Sequence, residues 1–228
     1  TKTNVIGTEN MVNASLTNNV SRFLLVSTDK VVSPTSCLGA TKLLAERVVI
    51  NSENIKGSKK TIFACARFGN VIGTRGSIVP YLTSQIKNSQ NLTVTDPNMT
   101  RYFMTIDNAT EVLIESINEM KGGEIFIPRK LRLFKVMDLA NSLKKVYNKN
   151  KLKIKIIGKR PGEKVFENLV SETEIENIKL TKKFYTIKNN IKNNEKKINS
   201  INKALEQYKM MSQKEIFDFL KKYILNFI

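Results

Sequence analysis

The sequence predicts an α/β fold built on a doubly wound parallel sheet, and three observations carry that expectation. Two short, continuous apolar runs, RFLLVS (22–27) and TIFACAR (61–67), have the texture of buried parallel strands. Residues 2–19 and 38–50 repeat apolar positions at helical spacing. Helix and strand therefore alternate along the first third of the chain, as crossover units require.

Each element follows from its own pattern. In residues 2–19, Val5, Ile6, Met11, Val12, Ala14 and Leu16 define an approximate helical face. The strand 22–27 leads through a loop with Pro34 into the helix 38–50, and the strand 61–67 follows. Beyond residue 80 the pattern predicts a helix (81–88), a strand (92–95), a turn at Asp96-Pro97-Asn98 and a helix over 107–120 that ends at Gly122-Gly123. EIFIP (124–128) is a strand stopped by proline. Val136, Leu139, Ala140, Leu143 and Val146 share one face of a helix over 135–147, and KIKII (153–157) is a further strand. Residues 188–203 are polar and repetitive, the composition of a surface linker. The final segment, 212–227, opens with a Ser212/Glu215 capping box and carries an apolar stripe, expected to close onto the domain rather than lie on a membrane.

Composition removes several function classes. No apolar run in the 228 residues is long enough to cross a bilayer as a helix. Two cysteines, Cys37 and Cys65, cannot build a disulfide framework or a four-ligand zinc site. With no histidine, His-based triads and His-metal clusters are excluded, and no metal is expected. The net charge of +18 would ordinarily suggest nucleic acid or an acidic membrane surface. Residues 141–228 contribute +12 of it, as lysines mixed with asparagine and isoleucine and without interleaved aromatics. That is the pattern of a solvated surface, not of a base-stacking groove, so no nucleic-acid partner is expected.

Four segments bring chemistry-bearing residues to strand ends or turns, where doubly wound sheets bind ligands. Ser27-Thr28-Asp29-Lys30 places hydroxyls, an acid and a base together directly after the strand 22–27. Alone it would be an ordinary capped turn. Gly39-Ala40-Thr41-Lys42 follows on the next helix, where a lone lysine is most simply a surface residue. Arg67-Phe68-Gly69-Asn70 and Gly73-Thr74-Arg75-Gly76 combine glycines with arginines suited to phosphate. Arg101 and Arg160, on separate turns, could clamp a diphosphate, although either alone would read as a surface arginine.

Taken in order, these segments cease to be independent. KTNVIGTENMVNA (2–14), STDK (27–30), SPTSCLGATK (33–42), RFGNVIGTRGSIVP (67–80), TDPNMTRYFMT (95–105), GGEIFIP (122–128) and IIGKRPGEK (156–164) resemble the UDP-N-acetylglucosamine 4,6-dehydratase branch of the extended short-chain dehydrogenases, the polysaccharide-biosynthesis enzymes. The likeness runs from residue 2 to about residue 187. It implies an incomplete Rossmann-type sheet with a smaller C-terminal substrate-binding domain. Residues 1–80 would belong to the NAD(P)-binding part and 81–187 mainly to nucleotide-sugar binding, with 107–120 packing back on the first part and 188–228 forming a linker and final helix.

The resemblance also implies a reaction and its residues. A UDP-N-acetylhexosamine is oxidised at C4 by NAD or NADP, loses water across C5 and C6, and receives hydride at C6. Lys30 corresponds to the base at C5, Asp29 to the acid at C6, and Thr28 to the partner of the C4 hydroxyl. Lys42 matches the lysine at the nicotinamide ribose, with Ser27 and Arg67 also on the cofactor side. Asn70, Arg101 and Arg160 match diphosphate-holding positions, Arg75 belongs with the substrate-binding residues, and Glu163 matches the uridine ribose position. The likeness further implies a cytoplasmic homo-oligomer, membrane-associated if a preceding segment carries an anchor.

Two departures keep alternatives open. Leu38 stands at the position of the usual catalytic tyrosine, four residues before Lys42, and cannot accept a proton. No G-x-G-x-x-G turn with its following acidic residue occurs, so the chain is expected to be the C-terminal two-thirds of a longer protein, binding NAD(P) poorly and turning over little by itself. A C4 epimerase of the same family, a non-catalytic remnant and a basic nucleic-acid-binding module are the competing readings. The epimerase would need no base at Lys30, and the nucleic-acid module would show steeply salt-dependent DNA retention.

Overall fold

The computed structural model describes residues 1–224 apart from 75, 190, 192, 194, 206 and 207. A π-helical turn, Lys2–Ile6, runs into α1 (Gly7–Thr17), followed by β1 (Arg22–Thr28), a 3₁₀ turn at Asp29–Val31, α2 (Cys37–Ile55) and β2 (Ile62–Phe68). Next come β3 (Asn70–Val71), α3 (Ile78–Lys87), β4 (Leu92–Val94), β5 (Thr100–Met104), α4 (Ile106–Glu119), β6 (Glu124–Pro128) and β7 (Arg132–Lys135). The rest comprises α5 (Val136–Val146), β8 (Ile154–Ile156), α6 (Glu172–Ile175), β9 (Ile178–Leu180), β10 (Phe184–Ile187), α7 (Glu195–Leu205) and α8 (Gln213–Ile224).

These elements sort into two compact units that interleave along the chain. The first comprises Thr1–Gly69, Asp107–Lys130 and Asn168–Gln207. The second comprises Asn70–Ile106, Leu131–Glu167 and Tyr208–Ile228. The chain crosses between them several times because β6 must return to pair with β2, in register Cys65 to Ile125.

In the first unit a five-stranded sheet runs β1-β2-β6-β10-β9. β1, β2 and β6 are parallel, whereas β10 lies antiparallel to both β6 and β9, so the sheet is mixed. The apolar run of β2 is explained by its place: Phe63, Ala64, Cys65 and Ala66 are fully buried, and burial pushes the Cys65 thiol well above its ordinary titration range. β1, by contrast, lies at an edge of the sheet among the described residues, with Val26 44% exposed, so its apolar composition does not reflect burial on both faces. The bend before β6 needs glycine. Gly122 has φ +115°, and a Cβ there would stand 2.4 Å from the Glu53 carboxyl group. Residues 188–203, expected as a linker, instead contain most of α7, whose Ile201 is fully buried. An apolar residue every three to four positions suffices to seat a helix that is otherwise polar.

The second unit contains the β3-β5-β7 sheet and the β4-β8 pair. Its core gathers Leu82, Ile86, Leu92, Phe103, Phe134, Leu139 and Leu143, each worth roughly 1.5–3 kcal/mol on burial. Ile216 and Leu220 of α8 join this core, so the final helix closes onto its own unit, as its stripe suggested. The Ser212/Glu215 box forms as read: Glu215 Oε2 accepts from the Ser212 N–H at 2.8 Å. That bond and the Lys209 ammonium push the Glu215 carboxyl down to about 2. Among the described residues no helix is long and apolar enough to cross a membrane.

Candidate active site

β1 ends at Thr28, whose extended backbone lets its side chain cap the 3₁₀ turn that follows. Asp29 is fully buried there, and its Oδ1 accepts two charge- or hydroxyl-based hydrogen bonds. Thr28 Oγ1 donates at 2.8 Å and Lys30 Nζ at 2.8 Å. The second oxygen, Asp29 Oδ2, is buried without a partner, and so is Ser27 Oγ two residues earlier in β1. Buried polar atoms left unpaired cost about 1–3 kcal/mol each. Lys30 is partly open, with 26% of its side chain exposed.

α2 is docked against this turn by its first residues. Ser36 caps it, its Oγ accepting from the Gly39 N–H at 3.2 Å. Gly39 then passes so close to the Lys30 carbonyl oxygen that a Cβ would stand 2.3 Å from it. One turn on, Lys42 Nζ donates to the Val26 carbonyl oxygen at 3.0 Å, beside the strand end that carries Ser27 and Thr28. Leu38 is 52% exposed and offers no ionisable group where the resemblance leads one to look for tyrosine.

Arg67 requires a correction. Expected on the cofactor side, it is instead fully buried with every N–H donor used inside the protein. Nε and Nη2 donate to the two oxygens of Glu46 at 3.1 and 2.8 Å. Nη1 and Nη2 donate to Glu174 at 3.0 and 2.9 Å, and Nη1 also to the Leu169 carbonyl at 2.9 Å. Burial alone would lower the guanidinium's proton affinity, but the Glu46 and Glu174 carboxylates hold it above its usual range. Burial likewise works to raise the Glu174 carboxyl, and the Arg67 guanidinium overrides this and holds it down. With five donors satisfied, Arg67 ties β2 to α2 and α6 and has none left for a ligand. Glu46 and Glu174 escaped the sequence reading; a glutamate on the buried face of α2 beside Ala45 and Val49 was the available signal.

In the second unit, Asn70, Arg101, Arg160 and Glu163 line a single cavity of about 450 Å³. Arg101 is 9% exposed and largely committed to backbone: Nη1 donates to the Thr100 and Val165 carbonyls at 2.7 and 3.2 Å, and Nη2 to Lys164 at 2.8 Å. It therefore pins the 160–165 turn over the cavity as well as charging it. Within that turn Glu163 Oε2 accepts from the Arg160 N–H at 3.1 Å, leaving the exposed Arg160 side chain outside any bond of the turn. Asn70 Nδ2 donates to the Tyr102 carbonyl at 3.3 Å. Arg75 lies outside the described residues. The cavity is also walled by Tyr81 and Thr93, which sequence motifs did not single out. The proposed catalytic residues Thr28, Asp29, Lys30 and Lys42 all belong to the first unit, and the four cavity residues to the second.

The chain matches the family described as "Polysaccharide biosynthesis protein" over residues 1–189. It is 45% identical over 183 residues to an uncharacterised membrane protein of Methanocaldococcus jannaschii, covering 78% of this chain and 55% of that one. It is 36% identical to a UDP-N-acetylglucosamine 4,6-dehydratase (inverting) of Campylobacter jejuni, covering 84% of this chain and 56% of the relative. The X-ray structure of Pen from Bacillus thuringiensis superposes with a TM-score of 0.86 at 34% identity, over 97% of this chain and 68% of that one. The chain thus spans about half the length, or less, of the curated relatives it matches. Resting on the match across residues 1–189 and the agreement of fold, the chain belongs to the polysaccharide biosynthesis protein family.

Proposed function

We propose that the chain carries the acid–base residues and the diphosphate-binding residues of a nucleotide-sugar 4,6-dehydratase acting on a UDP-N-acetylhexosamine. The observation that supports this best is the 2.8 Å contact between Lys30 Nζ and Asp29 Oδ1. An elimination across C5 and C6 needs a neutral base and a protonated acid at once. Transfer of one proton across that contact converts ammonium and carboxylate into amine and carboxylic acid, with nothing exchanged with solvent. Lys30 then takes the C5 proton, Asp29 gives its proton to the departing C6 hydroxyl, and the starting ion pair is restored as water leaves. Thr28 steadies the oxygen at C4. The C4 epimerase reading leaves this pair without a task.

Nicotinamide chemistry fits the strand end, where Ser27 Oγ is buried without a partner. Ser27 and Lys42 would hold NAD or NADP, which when bound accepts hydride from C4 and returns it at C6. Asn70, Arg101 and Arg160 would hold the diphosphate, with Glu163 at the ribose.

The test isolates the elimination from the oxidation. The chain is given UDP-4-keto-N-acetylglucosamine, whose C5 proton is already acidified, in deuterated water. The expected result is deuterium at C5 or loss of water from the sugar, abolished in Lys30→Ala. Neither change above the protein-free rate, with UDP binding demonstrated, would overturn the dehydratase.

A further inference from the structure

Asn70, Gly76 and Ser77 wall the cavity from one short stretch of chain, and the last helix reaches the turn between them. Thr74 Oγ1 donates to the Val71 carbonyl at 2.8 Å, and the Ser77 N–H to the Thr74 carbonyl at 3.0 Å. The turn answers those two carbonyls from within. The Ile72 carbonyl instead accepts from Tyr223 Oη, 3.2 Å away on the last turn of α8. Gly73, at φ +82°, makes room for that hydroxyl: a Cβ there would stand 3.3 Å from Tyr223 Oη and 3.5 Å from the ring.

Tyr223 is itself held in place. Its ring stacks on Phe219, one helical turn earlier, with centroids 5.6 Å apart and planes 16° from parallel. Phe219 packs edge-on with Phe103 of β5 at 5.4 Å and lies under the Arg132 guanidinium of β7 at 5.0 Å. The direction of the hydroxyl is therefore set by the core of this unit before any ligand arrives. No described residue of α8 lines the cavity, so its effect there passes through the turn. α8 also lies beyond residues 1–189, the part that matches the family.

We infer that Tyr223 is a positioning residue for the cavity: from α8 it latches the Ile72 carbonyl and holds the turn so that Asn70, Gly76 and Ser77 stand ready for a ligand. A wall fixed in advance binds more tightly than one that must be ordered on binding. This rests on the reading that the cavity takes a nucleoside diphosphate.

Two measurements on the full chain test it, one without ligand and one with. Tyr223→Phe keeps the ring stack and removes only the hydroxyl. Amide exchange followed by NMR is expected to quicken about three- to tenfold at Gly73 and Thr74 and to stay unchanged at Leu139 and Leu143 in the core. Calorimetric titration should show UDP binding about three- to tenfold more weakly, with the melting midpoint little changed. Unchanged exchange at Gly73 and Thr74 would overturn the latch. Faster exchange with UDP affinity unmoved would overturn the positioning role and leave the diphosphate reading intact. Absence of binding by UDP and by inorganic pyrophosphate to the unsubstituted chain would overturn that reading, and the positioning role with it.

Discussion

A Cβ on Gly39 would stand 2.3 Å from the carbonyl oxygen of Lys30 and 3.0 Å from Cβ of Pro34. The backbone of α2 is thus pressed directly onto the turn that carries the proposed base. In an open helix, Gly39→Ala would stabilise by about 1 kcal/mol. Here the backbone contact cannot yield, and overpacking of this kind costs about 1–3 kcal/mol. The variant is expected to unfold at lower urea concentration and to lose Lys30-dependent exchange at C5. A more stable, fully active variant would show the contact to be soft.

Arg67→Ala should destabilise by about 3–5 kcal/mol, since it leaves Glu46 on α2 and Glu174 on α6 buried without their shared cation. Urea unfolding followed by circular dichroism reads this. Because Arg67 is fully buried in that network, cofactor affinity should change no more than stability does.

The same network sets part of the acid limit. Glu174 has its carboxyl held below the ordinary range by Arg67, so its stabilising contribution is present above the unfolded value of about 4.3. That contribution is lost as pH falls through the lower folded value. The exposed Glu215, pushed down to about 2, acts in the same direction between roughly pH 4.3 and its folded value. Unfolding midpoints measured from pH 6 downwards should fall in this window, and Glu174→Gln should flatten the fall while lowering the midpoint at neutral pH.

The two cavity arginines should separate cleanly. Arg160→Ala, on an exposed turn, is expected to change stability by less than about 0.5 kcal/mol while weakening pyrophosphate binding. Arg101→Ala should weaken both, because its guanidinium carries the carbonyls of Thr100, Lys164 and Val165. Parallel thermal melts and pyrophosphate titrations would reveal whether the two losses travel together.

Much of the local structure was legible in the chain. TIFACAR, EIFIP and the capping box at Ser212 each announce themselves within a few residues, because strand burial and helix capping are short-range patterns. β5, β9 and β10 carry no strand signal of their own in the sequence. At three to five residues they offer too few alternations to define a period, and their pairing partners lie elsewhere in the sequence. At 188–203 the polar composition conceals a helix that needs only a few apolar contacts.

By itself the sequence determined the α/β class, the order of its main elements and the motif series that places the chain in its family. It also determined that Thr28, Asp29 and Lys30 would share one turn, since adjacent residues after a strand have nowhere else to go. Tertiary structure alone decided what lies far along the chain. Arg67 meets Glu174 across 107 residues, and that meeting turns an apparent phosphate ligand into a buried tie. Tyr81, Gln85 and Thr93 lie within twelve residues of one another, yet their hydrogen bonds exist only because β4 folds back beside α3. The physical reason is common to both: a side chain's role follows from which of its donors remain unspent, and only the folded neighbours settle that account.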